Sequence, residues 1–189
     1  MNGRNVLELL SIAEQLKNNT RHSWTSSGRQ ESVAEHSWRL AVMAYLMKDE
    51  FPSVDINKVI LMCLFHDLGE AVTGDIPAFR KTEEDSAVEE KELQSLLSRF
   101  PAPYDGELGR LFQEMEEQAS LESQLFKALD KLEAVIQHNE APISTWIPLE
   151  YDLNLTHGSR EAAFSEYLKE LRILIKHDTI QKIEASGGQ

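Results

Sequence analysis

Apolar residues recur at intervals of three and four positions along almost the whole chain, which is the spacing of one face of an α-helix. Glycine and proline account for only 9 and 6 of the 189 residues, and the alternation typical of a half-buried strand is absent. The sequence therefore predicts an all-α, compact, single-domain fold over residues 1–189. Its core is expected from about 6 to 177, and residues 184–189 are expected to form a frayed tail.

Capping patterns divide the chain into helices. Ser32 and Glu35 have the spacing of a capping box, and Thr82 and Asp85 repeat it with an aspartate. The predicted helices are 6–16, 32–48, 56–68, 82–100, 108–115, 120–136 and 159–175, with a polar stretch over 18–30. Residues 59–65 are apolar on all sides, which predicts that the third helix is the central buried one.

The charge balance limits the partners of this chain. It has 19 basic and 32 acidic residues, a net charge of −13. This argues against a nucleic-acid polymer or an anionic membrane as a partner, because both need clustered cations. The single cysteine, Cys63, excludes an intrachain disulfide and a thiolate zinc cluster. No signal peptide is recognisable, and the longest apolar run is far shorter than the ~20 residues that span a bilayer, so we expect a cytoplasmic protein.

Three polar features stand where apolar residues are expected. His36 lies on the inner face of its predicted helix, His66-Asp67 ends the most apolar helix, and Asp130 interrupts the apolar stripe of the long helix. Taken singly, His36 is more often a core histidine, Asp130 is more often a helix-surface or ion-paired acid, and the dipeptide His66-Asp67 has little specificity. Together they offer two imidazoles and two carboxylates, a set that suits one Mn, Fe, Co, Ni or Zn ion better than Mg or Ca.

The residues after the second histidine carry a family resemblance. The order His36, His66-Asp67, Asp130 resembles the H…HD…D metal set of the HD-domain phosphohydrolase superfamily. Glu70, Asp75 and Pro77 match the E-x-x-x-x-D-x-P run of its branch of 5′-deoxynucleotidases and HD domain-containing protein 2 homologues. The segment 31–37, ESVAEHS, is similar to the first-histidine motif of that branch, and the resemblance covers roughly 6–175.

This resemblance implies a helical HD-domain fold with one divalent metal ion held by His36, His66, Asp67 and Asp130. It implies an enzyme, a phosphoric monoester hydrolase that removes the 5′-phosphate of deoxynucleoside 5′-monophosphates by attack of a metal-bound water. A divalent ion lowers the pKa of bound water and neutralises phosphate oxygens, which agrees with that reaction.

The resemblance also implies roles for further residues. Glu70 would act as general acid or base, Arg21 would bind the phosphate, and Asp75 would accept a hydrogen bond from the sugar 3′-hydroxyl. Bacterial members of the branch often have tryptophan directly after the arginine, where this chain has His22, so either His22 or Trp24 takes the adjoining contact. The full set of expected substrate-binding residues is Arg21, Trp24, Asp75, Ile76, Pro77, Ala78 and Lys81.

Two alternative functions stay open at this point. The same metal site would serve an enzyme acting on nucleoside triphosphates, nucleotide analogues or another small phosphate ester. A non-catalytic metal- or nucleotide-binding sensor is the other alternative, although it would not need both Glu70 and Asp75. The partner is expected to be a small-molecule nucleotide. The family implies a homodimer, for which Trp146 with Pro142 and Pro148 is a candidate surface.

Overall fold

The computed structural model of this chain describes residues 1–77 and 79–187. Helices dominate it, which confirms the all-α, single-domain prediction. Within these residues the α-helices are α1 (Gly3–Ala13), α2 (Gln15–Asn18), α3 (Val33–Leu46), α4 (Ile56–Phe65), α5 (Glu70–Thr73), α6 (Glu83–Leu97), α7 (Tyr104–Glu117), α8 (Leu121–Glu140), α9 (Pro148–Thr156) and α10 (Glu166–Ala185). Short 3₁₀ turns cover Lys48–Glu50, Ile143–Thr145 and Glu161–Phe164.

The core forms around α8, which packs against α3, α4, α7 and α10. Its apolar stripe is fully buried at Leu125, Leu129 and Leu132. The prediction that 59–65 is buried on all sides is wrong, because Leu61 and Leu64 are 46% and 42% exposed. Only one face of α4 is covered, by α3 and α8, so its outer apolar residues meet solvent.

The capping predictions at Ser32 and Thr82 are confirmed. Ser32 Oγ accepts the amide of Glu35, and the Glu35 carboxylate accepts the amide of Ser32 at 2.9 Å, so both bonds of the capping box at α3 are present. Thr82 and Asp85 make the same arrangement at α6. Ser120 caps α8 through a bond from the amide of Ser123. These bonds satisfy amides that have no partner within the helix.

The polar stretch 18–30 contains a small sheet that the sequence analysis missed. Strands β1 (Thr20–Trp24) and β2 (Gln30–Ser32) pair antiparallel, with an irregular register between Thr20 and Trp24. Gly28, with φ of +80°, provides the left-handed conformation in the connection. Alternation is a weak signal here because the strands are short and mostly polar. The hairpin lies against α8 and brings β1 to the site described below.

The C-terminal third also differs from prediction. The last helix begins after Ser165, whose hydroxyl accepts the amide of Leu168, and not at Ser159. A 3₁₀ turn precedes it, and α9 occupies much of the interval that had no predicted helix. Helix α10 continues to Ala185, two residues into the stretch expected to fray. Among the helices in residues 1–77 and 79–187, none has the length and apolar character needed to cross a membrane.

Candidate metal centre and substrate cavity

Three helices bring the predicted metal ligands together. His36 comes from the first turn of α3, His66 and Asp67 follow the last residue of α4, and Asp130 lies in the middle of α8. One ligand atom each from His36, His66 and Asp67 lies within 4.8 Å of the others. The Asp130 Oδ1 atom is 3.4 Å from His36 Nε2 and 3.9 Å from His66 Nε2. The structure therefore clusters all four side chains, with Asp130 at the edge of the tighter group of three.

The orientation of the two histidines fits a metal ion. Glu133 Oε2 holds His36 Nδ1 at 2.5 Å, and the Cys63 carbonyl oxygen lies 2.9 Å from His66 Nδ1. Both Nε2 atoms are buried, and neither has a hydrogen-bond partner among the described residues. An outer contact at Nδ1 fixes the tautomer of a ligating imidazole and leaves Nε2 free for the metal. The chemistry of the donor set, two imidazole nitrogens and two carboxylates, thus matches a divalent transition ion.

The charges at this point favour a cation. Burial alone would raise the pKa of Asp130, but its contact with His36 and the nearby Lys127 hold that pKa well below the usual value. Burial would likewise raise the pKa of Asp67, yet His66 and Arg21 lower it. Burial and Arg21 disfavour the charged form of His36, whereas Asp130 and Glu133 raise its pKa to about 10 in the metal-free protein. The group thus holds two carboxylates and attracts either a proton or a metal ion.

A cavity of about 1150 Å³ opens directly over this group. Arg21, from β1, lies on its wall with NH1 3.5 Å from Asp67 Oδ2 and Nε 3.5 Å from Glu31 Oε2. Burial opposes the charge of this guanidinium, but the surrounding Asp67, Asp75 and Glu31 keep its pKa above the ordinary value. A permanently charged group beside the proposed ligands suits an anionic substrate.

Glu70 lies at the first position of α5, on the same wall. Its side chain is largely buried, and Oε2 has no hydrogen-bond partner among the described residues. Burial and the nearby Asp67 and Asp75 raise the pKa of Glu70 to about 9. Asn19 donates a hydrogen bond to the Glu70 carbonyl and so fixes this turn of chain to the end of α2. A carboxyl group with such a raised pKa keeps its proton at neutral pH and can donate it in a reaction.

The structure places the other expected substrate-binding residues unevenly. Asp75, Ile76 and Pro77 line the cavity, and so does Lys81, which is ion-paired with Glu89 of α6. His22 is on the wall, but Trp24 is not. Ala78 lies outside the described residues.

Three polar residues near the proposed ligands have no role predicted from the sequence. Glu133 is 1% exposed and contacts His36, and Lys127 and Lys131 both approach Asp130. A signal for Glu133 existed, because it interrupts the buried apolar stripe of α8 one turn after Asp130. The lysines gave no such signal, since charged residues on a helix are most often exposed.

The chain belongs to the HD domain family, whose model matches residues 13–172. It is 37% identical to the 5′-deoxynucleotidase HDDC2 of Bos taurus over 141 residues, which are 72% of this chain and 68% of the bovine protein. It is 35% identical to the 5′-deoxynucleotidase HDDC2 of Homo sapiens with the same coverage. A crystal structure of a predicted metal-dependent phosphohydrolase from Magnetospirillum magnetotacticum MS-1 superposes with a TM-score of 0.78 at 26% identity, covering 95% of both chains.

Proposed function

We propose that this chain is a metal-dependent 5′-deoxynucleotidase, a phosphoric monoester hydrolase that removes the 5′-phosphate of deoxynucleoside 5′-monophosphates. The observation that carries the proposal is the pair of buried histidine Nε2 atoms without hydrogen-bond partners, facing Asp67 and Asp130 beneath a cavity that also contains Arg21 and Glu70. The names of the bovine and human relatives support the deoxynucleotide substrate.

His36, His66, Asp67 and Asp130 would hold one divalent transition ion, with Co, Mn, Fe, Ni and Zn all compatible with the ligands. When bound, this ion supplies Lewis acidity, which lowers the pKa of water and neutralises phosphate charge. Glu133 and the Cys63 carbonyl orient the two imidazoles toward it. Every other contribution comes from side chains that line the cavity.

Arg21 binds phosphate oxygens with its guanidinium, whose contacts with Glu31 and Asp67 fix its position before substrate arrives. Glu70 keeps a proton in its buried environment and delivers it to the oxygen of the departing sugar. Asp75 follows Glu70 by five residues in the sequence and lines the same cavity, where it accepts a hydrogen bond from the sugar hydroxyl. His22 lies beside Asp75, which receives a backbone hydrogen bond from it, and therefore takes the adjoining contact in preference to Trp24.

We propose that the protein is cytoplasmic and that it forms a homodimer. Trp146 is only 8% exposed and so offers little surface to a partner, although the nearby Pro148 is exposed. An apolar stripe on α3 is a better candidate, because Trp38, Val42, Tyr45 and Leu46 are 65%, 40%, 56% and 74% exposed. Such a stripe on a helix is a common feature of interaction surfaces. The partner molecule in the reaction is a small nucleotide.

The test uses metal-stripped protein that is reconstituted with Co or Mn and given mono-, tri- and cyclic nucleotides, with phosphate release as the readout. We expect release from deoxynucleoside 5′-monophosphates above all other substrates. Release from triphosphates or other phosphate esters alone would favour the alternative substrates, and binding without release would favour a sensor.

Glu70→Gln tests the proton role in the same assay. It should lower kcat by about 10²- to 10⁴-fold while the metal content stays at the level of the parent protein. Glu90→Gln, an exposed acid on the rim of the same cavity, is the matched control and should keep parental kcat. Unimpaired turnover in Glu70→Gln would remove Glu70 from the mechanism.

A further inference from the structure

The cavity contains four cationic side chains, and they differ in what they contact. Arg21 lies between Glu31 and Asp67, and Lys81 is paired with Glu89 of α6. The other two, Lys127 and Lys131, come from α8 and flank Asp130. Arg21 and Lys81 are the two cations that the sequence predicts at the substrate. The structure brings the two α8 lysines, as well as Arg21, to the proposed metal ligands.

The two carboxylate oxygens of Asp130 face different groups. Oδ1 approaches the Nε2 atoms of His36 and His66, at 3.4 and 3.9 Å. Oδ2 approaches Lys127 Nζ at 3.4 Å and Lys131 Nζ at 3.8 Å. The oxygen that faces the histidines is therefore distinct from the oxygen that faces the lysines. An ammonium group at Oδ2 can stay in place while Oδ1 faces an ion.

Lys127 is the better placed of these two lysines to bind a ligand. Its Nζ is closer to Oδ2, its side chain is 33% exposed on the cavity wall, and Asp130 is its one acidic contact among the described residues. The stem of Lys131 is covered by the turn at Gly158, where a methyl group would lie 3.1 Å from Lys131 Cβ. Lys81 is ion-paired with Glu89, so it is less available for an anion.

We propose that Lys127 binds the phosphate of the substrate, on the opposite side of the ligand cluster from Arg21. Arg21 contacts Asp67 and Lys127 contacts Asp130, so the two cations flank the pair of carboxylates between them. A phosphate monoester dianion over this cluster would receive hydrogen bonds from a guanidinium on one side and an ammonium on the other. This assignment rests on the proposed function only in one respect, namely that the phosphate belongs to a deoxynucleotide.

The arrangement explains how so acidic a chain holds a phosphate. The wall also contains Asp75, Glu89 and Glu90, so one arginine would face an excess of negative charge. A second cation at Asp130 restores the balance locally, while the net charge of −13 still excludes extended polyanions.

Inorganic phosphate is the probe, and calorimetric titration of the Mn-loaded protein gives its Kd. In Lys127→Met we expect the Kd to rise by about 10- to 100-fold, with metal content per chain unchanged, and Lys127→Arg should recover most of the affinity. Lys131→Met tests the neighbouring lysine and should have the smaller effect. Lys91→Met, an exposed lysine of α6 outside the cavity, is the matched control and should bind phosphate like the parent protein.

Three results with the variants would overturn the inference. They are a Lys127→Met Kd within about twofold of the parent, a larger loss in Lys131→Met than in Lys127→Met, or a loss of bound metal that accounts for the weakened binding. The last would mean that Lys127 only positions Asp130. Parent protein that binds no phosphate would overturn it too. If phosphate binding depends on Lys127 but no deoxynucleotide is hydrolysed, the proposed function fails and this inference stands.

Discussion

Two histidines in this molecule, the fully buried His36 and the partly buried His138, each face a buried glutamate, yet their surroundings differ. His36 Nδ1 forms a hydrogen bond with Glu133 Oε2 at 2.5 Å, and His36 Nε2 has no hydrogen-bond partner among the described residues. His138 has both nitrogens engaged, Nδ1 with Asn154 Oδ1 at 3.1 Å and Nε2 with the Ser23 hydroxyl at 3.3 Å. Glu150 lies beyond, 3.5 Å from His138 Nε2.

The difference teaches that the role of a His–Glu pair depends on what the other ring nitrogen of the histidine contacts. At His36 that nitrogen faces Asp130, and the surrounding acids raise the pKa of the ring to about 10. At His138, burial lowers the pKa although Glu150 opposes it, and the hydrogen-bond partners of the two nitrogens are the neutral Ser23 of β1 and Asn154 of α9. The first arrangement attracts a cation, and the second joins three elements of the fold.

Replacing each histidine by glutamine is the strongest way to break this comparison. His36→Gln should lose metal affinity by more than the roughly 100-fold that changes around a ligand typically produce, because it removes a ligand itself. Hydrolysis should fall with the metal content. His138→Gln, the matched variant in the same cavity, should keep parental metal affinity. Equilibrium dialysis with metal analysis measures both, and equal losses in the two variants would refute the assignment of His36.

Replacing the two glutamates tests the same comparison, with smaller expected effects on metal affinity. Glu133→Gln should weaken metal affinity by about 10- to 100-fold, because the amide holds the His36 ring less firmly and no longer increases its basicity. Glu150→Gln leaves the proposed ligands untouched, so metal affinity should stay unchanged. Competition with a chromophoric chelator gives both affinities. Parental affinity in Glu133→Gln would show that the contact is not needed for metal binding.

Most of the fold could be predicted from the sequence, and so could the proposed ligand set that includes His36. Periodic apolar residues predicted α3, α4, α6 and α8, because a helix that buries one face must repeat at that spacing. Capping patterns at Ser32 and Thr82 are local, so they were readable without tertiary structure. His36, His66, Asp67 and Asp130 stood out because each places a polar group in an apolar pattern.

The surroundings of His138 could not be predicted, because they depend on contacts between distant parts of the chain. The His138 network joins Ser23 of β1 to Asn154 of α9, and neither of those short elements has a clear periodic signal. The hairpin escaped notice for the same reason. Lys127 looks like a surface lysine in sequence, and only the packing of α8 against the ends of α3 and α4 gives it a neighbouring cavity.

The network around His138 should contribute to stability and not to metal binding. Asn154 is 2% exposed and its Oδ1 is the partner of His138 Nδ1, so Asn154→Ala leaves a buried ring nitrogen unsatisfied. We expect the free energy of unfolding to fall by about 1–3 kcal/mol with metal affinity unchanged. Urea unfolding of metal-free protein measures the first quantity. A variant as stable as the parent would mean that the network does not join these elements energetically.

The smallest expected effect is a difference in pH dependence between the two histidines in metal-free protein. Burial lowers the pKa of His138, opposed by Glu150 and Asn154 and reinforced by His22 and Arg21, so the native state resists a proton that the unfolded chain binds below about pH 6.5. Its contribution to stability is present above that pH and is lost as the pH falls. His36 behaves oppositely. Its raised pKa makes the native state keep a proton up to about pH 10, so its contribution is lost as the pH rises.

His138→Gln should therefore flatten only the acid side of the stability profile. Urea unfolding of parent and variant at pH 7.5 and 5.5, at constant ionic strength, should give a stability difference that shrinks toward pH 5.5. The change is limited to about 1.4 kcal/mol per pH unit for one group. A difference that instead grew toward acid would mean that Glu150 holds His138 as a cation. The two His–Glu pairs would then be electrostatically alike, and the free Nε2 of His36 alone would distinguish the proposed metal site from its neighbour.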